Sequence, residues 1–282
     1  MRIISEKNPA DFLGRVGPFL GRSAVENNLL LGISSGIEPG HGNDPPLLLH
    51  VEGPDGIELV AVRTPPRSLV LSRGVEESAR SLAEHLASAH APLPGVLGPR
   101  ETVDSFVHAW SERTGAFGRL VRLQTLYQLG RLEPPAPVPG RFREACPEDQ
   151  ETLARWSLAF QDEVGVHVGV GDDASSFVRG KMLAGQLFVW DDGAPVSMAG
   201  WAARTPQAVR VNFVYTPLAE RKKGYAAACV AALSEKLLDE GSATCILFAD
   251  AGNPTSNRVY QRLGYRALCD FAEYEFIPAK RE

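Results

Sequence analysis

Little in this sequence points to redox chemistry, metals, membranes or nucleic acid. Its four cysteines, Cys146, Cys229, Cys245 and Cys269, all lie in the second half and form no CxxC pair. Zinc-ligand spacing and a dithiol motif are therefore absent, and the four read as ordinary small core residues. No apolar run approaches the length of a membrane span, and the opening MRIISEKNPADF has no signal-peptide core. These absences predict a soluble cytoplasmic protein. Charge of one sign is also missing. The chain carries 29 Lys+Arg against 34 Asp+Glu, and division at residue 135 leaves 13 against 15 before it and 16 against 19 after it. Binders of nucleic acid or anionic membranes need a basic surplus, and neither half has one. No GxxxxGK[ST] loop occurs, and no GxGxxG follows a strand, which excludes the common nucleotide fingerprints. No Cys–His or Ser–His pairing suggests a covalent intermediate.

What the chain does have is apolar patterning on the scale of two domains. Its 282 residues are 44% hydrophobic, enough for a core in each half. The stretch Leu132-Glu-Pro-Pro-Ala-Pro-Val-Pro-Gly140 loses backbone donors at each proline and favours an extended chain. It predicts a first domain over residues 1–132, a linker over 133–140 and a second domain over 141–282. Before the linker, periodicity predicts helices at 11–20, 24–33, 75–89 and 101–113, and strands at 47–51, 57–63, 68–72 and 119–132. After it, helices are expected at 147–164, 173–184, 224–240 and 254–263. Strands are expected at 142–145, 186–190, 195–204, 208–216, 245–249 and 266–276. Asp191-Asp192-Gly193 is a hairpin turn signal between two of those strands. This mixed order predicts an α/β fold, and the halves read as two versions of one unit.

The most informative stretch runs Val214-Tyr-Thr-Pro-Leu-Ala-Glu-Arg-Lys-Lys-Gly-Tyr-Ala-Ala-Ala228. A strand ends near Pro217 and a helix begins near Gly224. The first N–H groups of a helix are free and lie at the positive end of its dipole, so they suit a phosphate. Gly224 allows close backbone approach because it has no Cβ, and Ala226 keeps that approach open. Arg221, Lys222 and Lys223 add charge suited to a polyphosphate. Taken alone, the turn is equally a solvated basic loop. However, Arg221-Lys222-Lys223-Gly224-Tyr225-Ala226 matches a [Gln/Arg]-x-x-Gly-x-[Gly/Ala] signature. Over residues 141–276 the chain resembles the GCN5-related N-acetyltransferases, the GNAT family. The resemblance implies two GNAT-like α/β domains, the first degenerate, each with a mixed, mostly antiparallel central sheet flanked by helices. It implies acetyl transfer from acetyl-CoA, as co-substrate and without a metal, to a primary amine by direct attack. Pantetheine would then pair with the strand edge Phe213, Val214, Tyr215 and Thr216, and pyrophosphate would lie on the N–H groups of Lys222 to Ala226, Tyr225 included. An N–H near Val214 would polarise the thioester carbonyl.

A second motif, Asn253-Pro-Thr-Ser-Asn-Arg-Val-Tyr-Gln-Arg-Leu-Gly-Tyr265, begins with a good N-cap and a first-turn proline and ends at a stop glycine, Gly264. In the family it resembles, Asn253, Ser256 and Asn257 would border the cofactor. Tyr260 would be the general acid that protonates the leaving thiolate; by spacing alone, Tyr260 could equally be core. The base is less defined. Glu163, beside Asp162, ends the first helix of the second half and is the candidate, although a solvated helix end is the plainer reading. Asn212 stands where some relatives carry a glutamate base and cannot serve as one. His167 is a further candidate. Trp156, Trp190 and Trp201 read as core.

The nearest counterpart of the cradle in the first half, Leu71-Ser-Arg-Gly-Val-Glu-Glu77, puts two carboxylates where pyrophosphate would sit, so that half is expected not to bind CoA. The expected partner is a small-molecule or peptide amine, with neither nucleic acid nor membrane. Two rivals remain: a CoA-binding regulatory module without turnover, and acyl transfer from another donor such as an aminoacyl-tRNA.

Overall fold

The structure, a computed structural model, describes residues 1–37, 44–89, 91, 93–165 and 173–278. In chain order the elements are β1 (Arg2–Glu6), α1 (Pro9–Gly21), α2 (Asn28–Ser35), β2 (Leu47–Gly53), β3 (Gly56–Arg63), β4 (Leu69–Leu71), α3 (Glu76–Ser88), β5 (Gly95–Pro99), α4 (Arg100–Thr114) and β6 (Phe117–Leu129). They continue as β7 (Arg141–Glu144), α5 (Gln150–Val164), α6 (Ala174–Leu183), β8 (Leu187–Asp191), β9 (Pro195–Ala202), β10 (Val209–Tyr215), α7 (Tyr225–Asp239), β11 (Cys245–Asp250), α8 (Pro254–Arg262) and β12 (Tyr265–Ile277).

The chain forms two compact units, Met1–Leu126 with Cys269–Glu282, and Tyr127–Leu268. The first unit holds a sheet ordered β1-β2-β3-β4-β5, continued by the late residues of β12 and the early residues of β6. Its pairs are antiparallel where β1, β2, β3 and β4 follow one another, and parallel between β4 and β5. One face packs Leu49, Leu59, Leu82, Val96 and Phe106 against α3 and α4, and the other packs Phe12, Val16, Leu20, Leu48 and Val60 beneath α1. The second unit repeats the scheme. Its sheet runs β6-β11-β10-β9-β8-β7, with the end of β6, and here too one parallel pair, β10 with β11, lies among antiparallel ones. Phe188, Val209, Val211, Val230 and Leu233 fill the α7 side, and Leu153, Trp156, Val178, Met198 and Phe213 fill the side covered by α5 and α6. Each unit is therefore a mixed, mostly antiparallel sheet flanked by helices, as expected. No helix among the described residues is long and apolar enough to cross a membrane.

The expected division at a proline-rich linker needs correction. The segment 133–140 is irregular, as its prolines require, but it lies inside the second unit. There Trp190 Nε1 donates to Pro139 O at 2.7 Å, and the Leu132 neighbour Glu133 N donates to Leu263 O at 3.1 Å. The unit boundary instead falls within β6 and within β12, whose Phe271–Glu275 stretch pairs antiparallel with β5. Residues 269–278, expected in the second domain, thus complete the first. Two strands, β1 and β5, were not expected, and the helix expected at 24–33 starts four residues later, at Asn28.

Candidate active site

The site is built where β10 leaves β11. The two strands pair only at Val209↔Cys245 and Arg210↔Ile246, so the rest of β10 presents a free edge on that side. On its other side β10 pairs with β9 until the register shifts between Asn212 and Tyr215. At that bulge Phe213 has φ +56°, a left-handed conformation that costs a bulky residue about 1–3 kcal/mol. Its surroundings hold it there: the Phe213 ring is packed edge-on between Phe160 and Phe177, with centroids 5.3 and 5.5 Å away. The bulge leaves Phe213 and Tyr215 in the core and Val214 and Thr216 on a cavity of about 670 Å³. Phe213 and Tyr215 can therefore contribute backbone to the cavity edge but not side chains.

The cavity floor is the start of α7. Gly224 is its N-cap, with φ +93° and no side chain capping the first turn. A Cβ on Gly224 would lie 2.8 Å from Val138 Cγ1. Gly224, Tyr225, Ala226 and Ala227 line the cavity. A helix start with no side-chain cap and no side chain at the N-cap has donors left for a ligand anion. The Tyr225 side chain turns away, is buried, and donates to Asp192 Oδ2 at 2.7 Å. This acceptor pushes its phenol above the usual range.

The three cations differ. Arg221 Nη2 donates to both Glu163 oxygens at 2.7 Å, and its Nε donates to Thr216 O at 2.8 Å. Lys223 is paired with Glu220 Oε2 at 2.9 Å and does not line the cavity. Lys222, at φ +64°, does line it and has no carboxylate partner among the described residues. The candidate base Glu163 is therefore on the wall but held in an ion pair, with both oxygens occupied by a guanidinium. His167 lies outside the described residues.

α8 closes the opposite wall. Asn253 is its N-cap and accepts from Thr255 N and Ser256 N at 3.2 and 3.1 Å. Asn253, Thr255, Ser256, Val259 and Tyr260 line the cavity. Asn257 does not: its Nδ2 donates to Asp250 O and Asn253 O at 2.9 and 2.8 Å, tying β11 to α8. Tyr260 packs its ring near Tyr127 and Tyr265, with centroids 6.4 and 6.2 Å away. Its hydroxyl has no hydrogen-bond partner among the described residues. Burial pushes the phenol up to about 12, so it keeps its proton at neutral pH.

Leu218, Glu220, Ala227, Thr255 and Val259 also line the cavity and were not singled out from the sequence. Thr255 and Val259 could have been found, since residues four apart on a helix share a face. Leu218 is 75% exposed, an apolar residue in an otherwise polar turn.

The corresponding region of the first unit differs in its glycines. A Cβ at Gly98 of β5 would lie 2.7 Å from Leu71 O of β4, and one at Gly74 would lie 2.7 Å from Leu59 Cδ1. Leu71 therefore still lies against Gly98 one residue beyond the last β4–β5 pair, Val70↔Leu97. Glu76 and Glu77 occupy the first turn of α3. The four cysteines are unbridged. Burial raises the Cys229 thiol and pushes Cys245 up to about 12 and Cys269 to about 11. Cys146 is raised chiefly by its hydrogen bond with Glu148. None is poised as a nucleophile. Among the described residues no group of three His, Cys, Asp or Glu side chains is placed to hold a metal.

Comparison with known proteins agrees with this architecture. Residues 190–276 match the family model described as FR47-like protein. That stretch contains β10, the Gly224 turn and Tyr260, and begins after Glu163. No curated protein matches the sequence. Among solved structures, a tandem GNAT protein from the clavulanic acid biosynthesis pathway is 11% identical. It covers 100% of this chain and 99% of its own, with a TM-score of 0.62. A GCN5-related N-acetyltransferase from Sphaerobacter thermophilus is 17% identical, with coverages of 99% and 97% and a TM-score of 0.62. A Drosophila protein is 11% identical, covering 98% of each chain with a TM-score of 0.68. At these identities the likeness is one of fold: a tandem of GNAT-like units.

Proposed function

We propose that this protein is an N-acyltransferase that moves an acetyl group from acetyl-CoA to a primary amine, with the second unit carrying the chemistry. The observation behind this reading is the convergence on one cavity of an uncapped helix start at Gly224, an unpaired strand edge on β10 and the unpartnered hydroxyl of Tyr260. Pyrophosphate suits the N–H groups of Tyr225 to Ala227 and the free charge of Lys222, and an amide-bearing arm suits the edge around Val214 and Thr216. The thioester supplies an activated acyl carbon.

In direct transfer the nitrogen forms its bond to that carbon and gives up a proton, while the carbon–sulfur bond breaks and the sulfur gains one. Tyr260 donates to the sulfur as its charge develops and recovers a proton from solvent. With both oxygens of Glu163 paired to Arg221, the nitrogen's proton leaves through water. A binding module without turnover would have no use for a protonated donor at this point of the wall, which favours the enzyme over the regulatory reading. The direct test is release of free thiol from acetyl-CoA in the presence of a panel of primary amines. Thiol release with none of them, by a protein that binds acetyl-CoA, would leave the regulatory reading standing.

Glu163→Gln separates two roles. If Glu163 only holds Arg221, turnover stays within about threefold, because an exposed ion pair contributes ~0–1 kcal/mol. Acetyl-CoA then binds as tightly or a few-fold tighter, through the freed Arg221. A fall in kcat of about 100-fold or more would instead make Glu163 the base.

A further inference from the structure

The face of the second unit's sheet beneath α6 carries two cations that do not line the cavity, Arg210 and Lys181. Arg210 lies on β10 opposite Ala202 of β9, two residues before Asn212, which lies opposite Gly200. Residues two apart on a strand share a face. Arg210 is half-buried and has no hydrogen-bond or carboxylate partner among the described residues. Lys181 comes to the same corner from the last turn of α6. Its ammonium makes only long contacts, 3.4 Å to Trp201 O and 3.5 Å to Gln186 Oε1, and lies 5.7 Å from the centre of the Phe177 ring. Desolvation and then the charge of Arg210 lower Lys181 to about 8, and desolvation lowers Arg210 to about 10.

Asn212 adds a third group to this corner. Its Oδ1 is buried without a partner, in room that Gly200 leaves open: a Cβ there would lie 3.4 Å from that oxygen. A desolvated cation without a partner, a second held only by long contacts to neutral acceptors, and an unpaired buried acceptor are each costly. Three together on one face, adjoining the bulge at Phe213, match a ligand that brings an anion and an N–H. The Phe177 ring, which meets both Phe213 and Lys181, joins this corner to the strand that borders the cavity.

We infer that the acceptor is an amine that also bears a carboxylate, held by Arg210 and Lys181, with an N–H given to Asn212 Oδ1. This rests on the acyl-transfer reading and narrows its substrate class. The planar guanidinium gives the carboxylate two parallel donors and Lys181 adds a point charge.

The test uses α-amino acids and ω-amino acids of graded length, each beside its own primary carboxamide. Two readouts are taken on the full chain: protection against thermal unfolding without acetyl-CoA, and acetyl transfer with it. For at least one pair the acid should half-saturate at a concentration about tenfold or more below that of its amide, and its kcat/KM should be about tenfold or more higher. In Arg210→Gln that preference should fall to near parity. The variant should also melt at or above the wild-type temperature, because an unpaired desolvated charge is gone. Should Arg210→Gln not fold, Lys181→Met should show the same loss of preference. If no acid outperforms its amide in either readout, or the preference survives in a folded variant, the inference is wrong. Protection by an acid but not its amide, without any acetyl transfer, would overturn the acyl-transfer reading while leaving the carboxylate site in place.

Discussion

Gly224→Glu should weaken acetyl-CoA binding by about 100-fold or more while leaving the chain folded. Three effects act in the same direction. Gly224 sits at φ +93°, where a side chain costs ~1 kcal/mol or more. The added Cβ would come within 2.8 Å of Val138 Cγ1, so either Val138 or the turn must shift. The new carboxylate would then lie where a pyrophosphate is expected to meet the positive end of the helix. Gly224→Ala shares the first two effects and lacks the third, so its loss should be smaller. Affinity measured by ligand-induced shift in melting temperature distinguishes them. A Gly224→Glu protein that binds acetyl-CoA within about threefold of the wild type would remove the α7 start from the site.

Tyr260→Phe should lower kcat by about 100- to 10,000-fold, the range for losing a positioned general acid, with KM for acetyl-CoA little changed. Stability should hardly move. The hydroxyl has no partner among the described residues, and the ring contacts with Tyr127 and Tyr265 need only the ring. The pH profile offers a second check. Because burial pushes this phenol up to about 12, its acid form persists below that value, and kcat should show no falling limb from its ionisation below about pH 11. Full turnover in the phenylalanine variant would mean that Tyr260 is only packing.

The second unit was legible in the sequence because its signals are local. A capping asparagine, a first-turn proline and a stop glycine set α8 almost to the residue, and the Asp191–Gly193 turn set the β8–β9 hairpin. The same locality explains the misses. β5 was overlooked because Gly95, Gly98 and Pro99 read as loop. The glycines are there because β5 lies too close to neighbouring backbone for side chains: a Cβ at Gly95 would clash with Tyr274 O, and one at Gly98 with Leu71 O. That need comes from strands distant in sequence and leaves no periodic trace. The unit boundary was misplaced for a related reason. A run of prolines shows where the chain is extended, not which unit it serves, and the pairing of Phe271–Glu275 with β5 joins segments far apart in sequence.

Within the site, the residues of the Gly224 turn and of α8 were legible by type and spacing. The side-chain partners were not. Glu163 was a reasonable base until Arg221 was found holding both its oxygens, a pairing across 58 positions of sequence. Asn257 suited a cofactor contact until its amide was seen to tie β11 to α8. Arg210 and Lys181 do not stand out in the sequence, because a single charged residue in a strand or at a helix end is ordinary until the structure shows that no carboxylate faces it.

The central claim is that this chain has one acetyl-CoA site, in its second unit. Calorimetric titration of the wild-type protein with acetyl-CoA tests it most directly. The account predicts one equivalent bound per chain, with a dissociation constant on the order of micromolar. No binding by the folded protein would contradict the claim outright, and two equivalents would place a second site outside the Gly224 cradle.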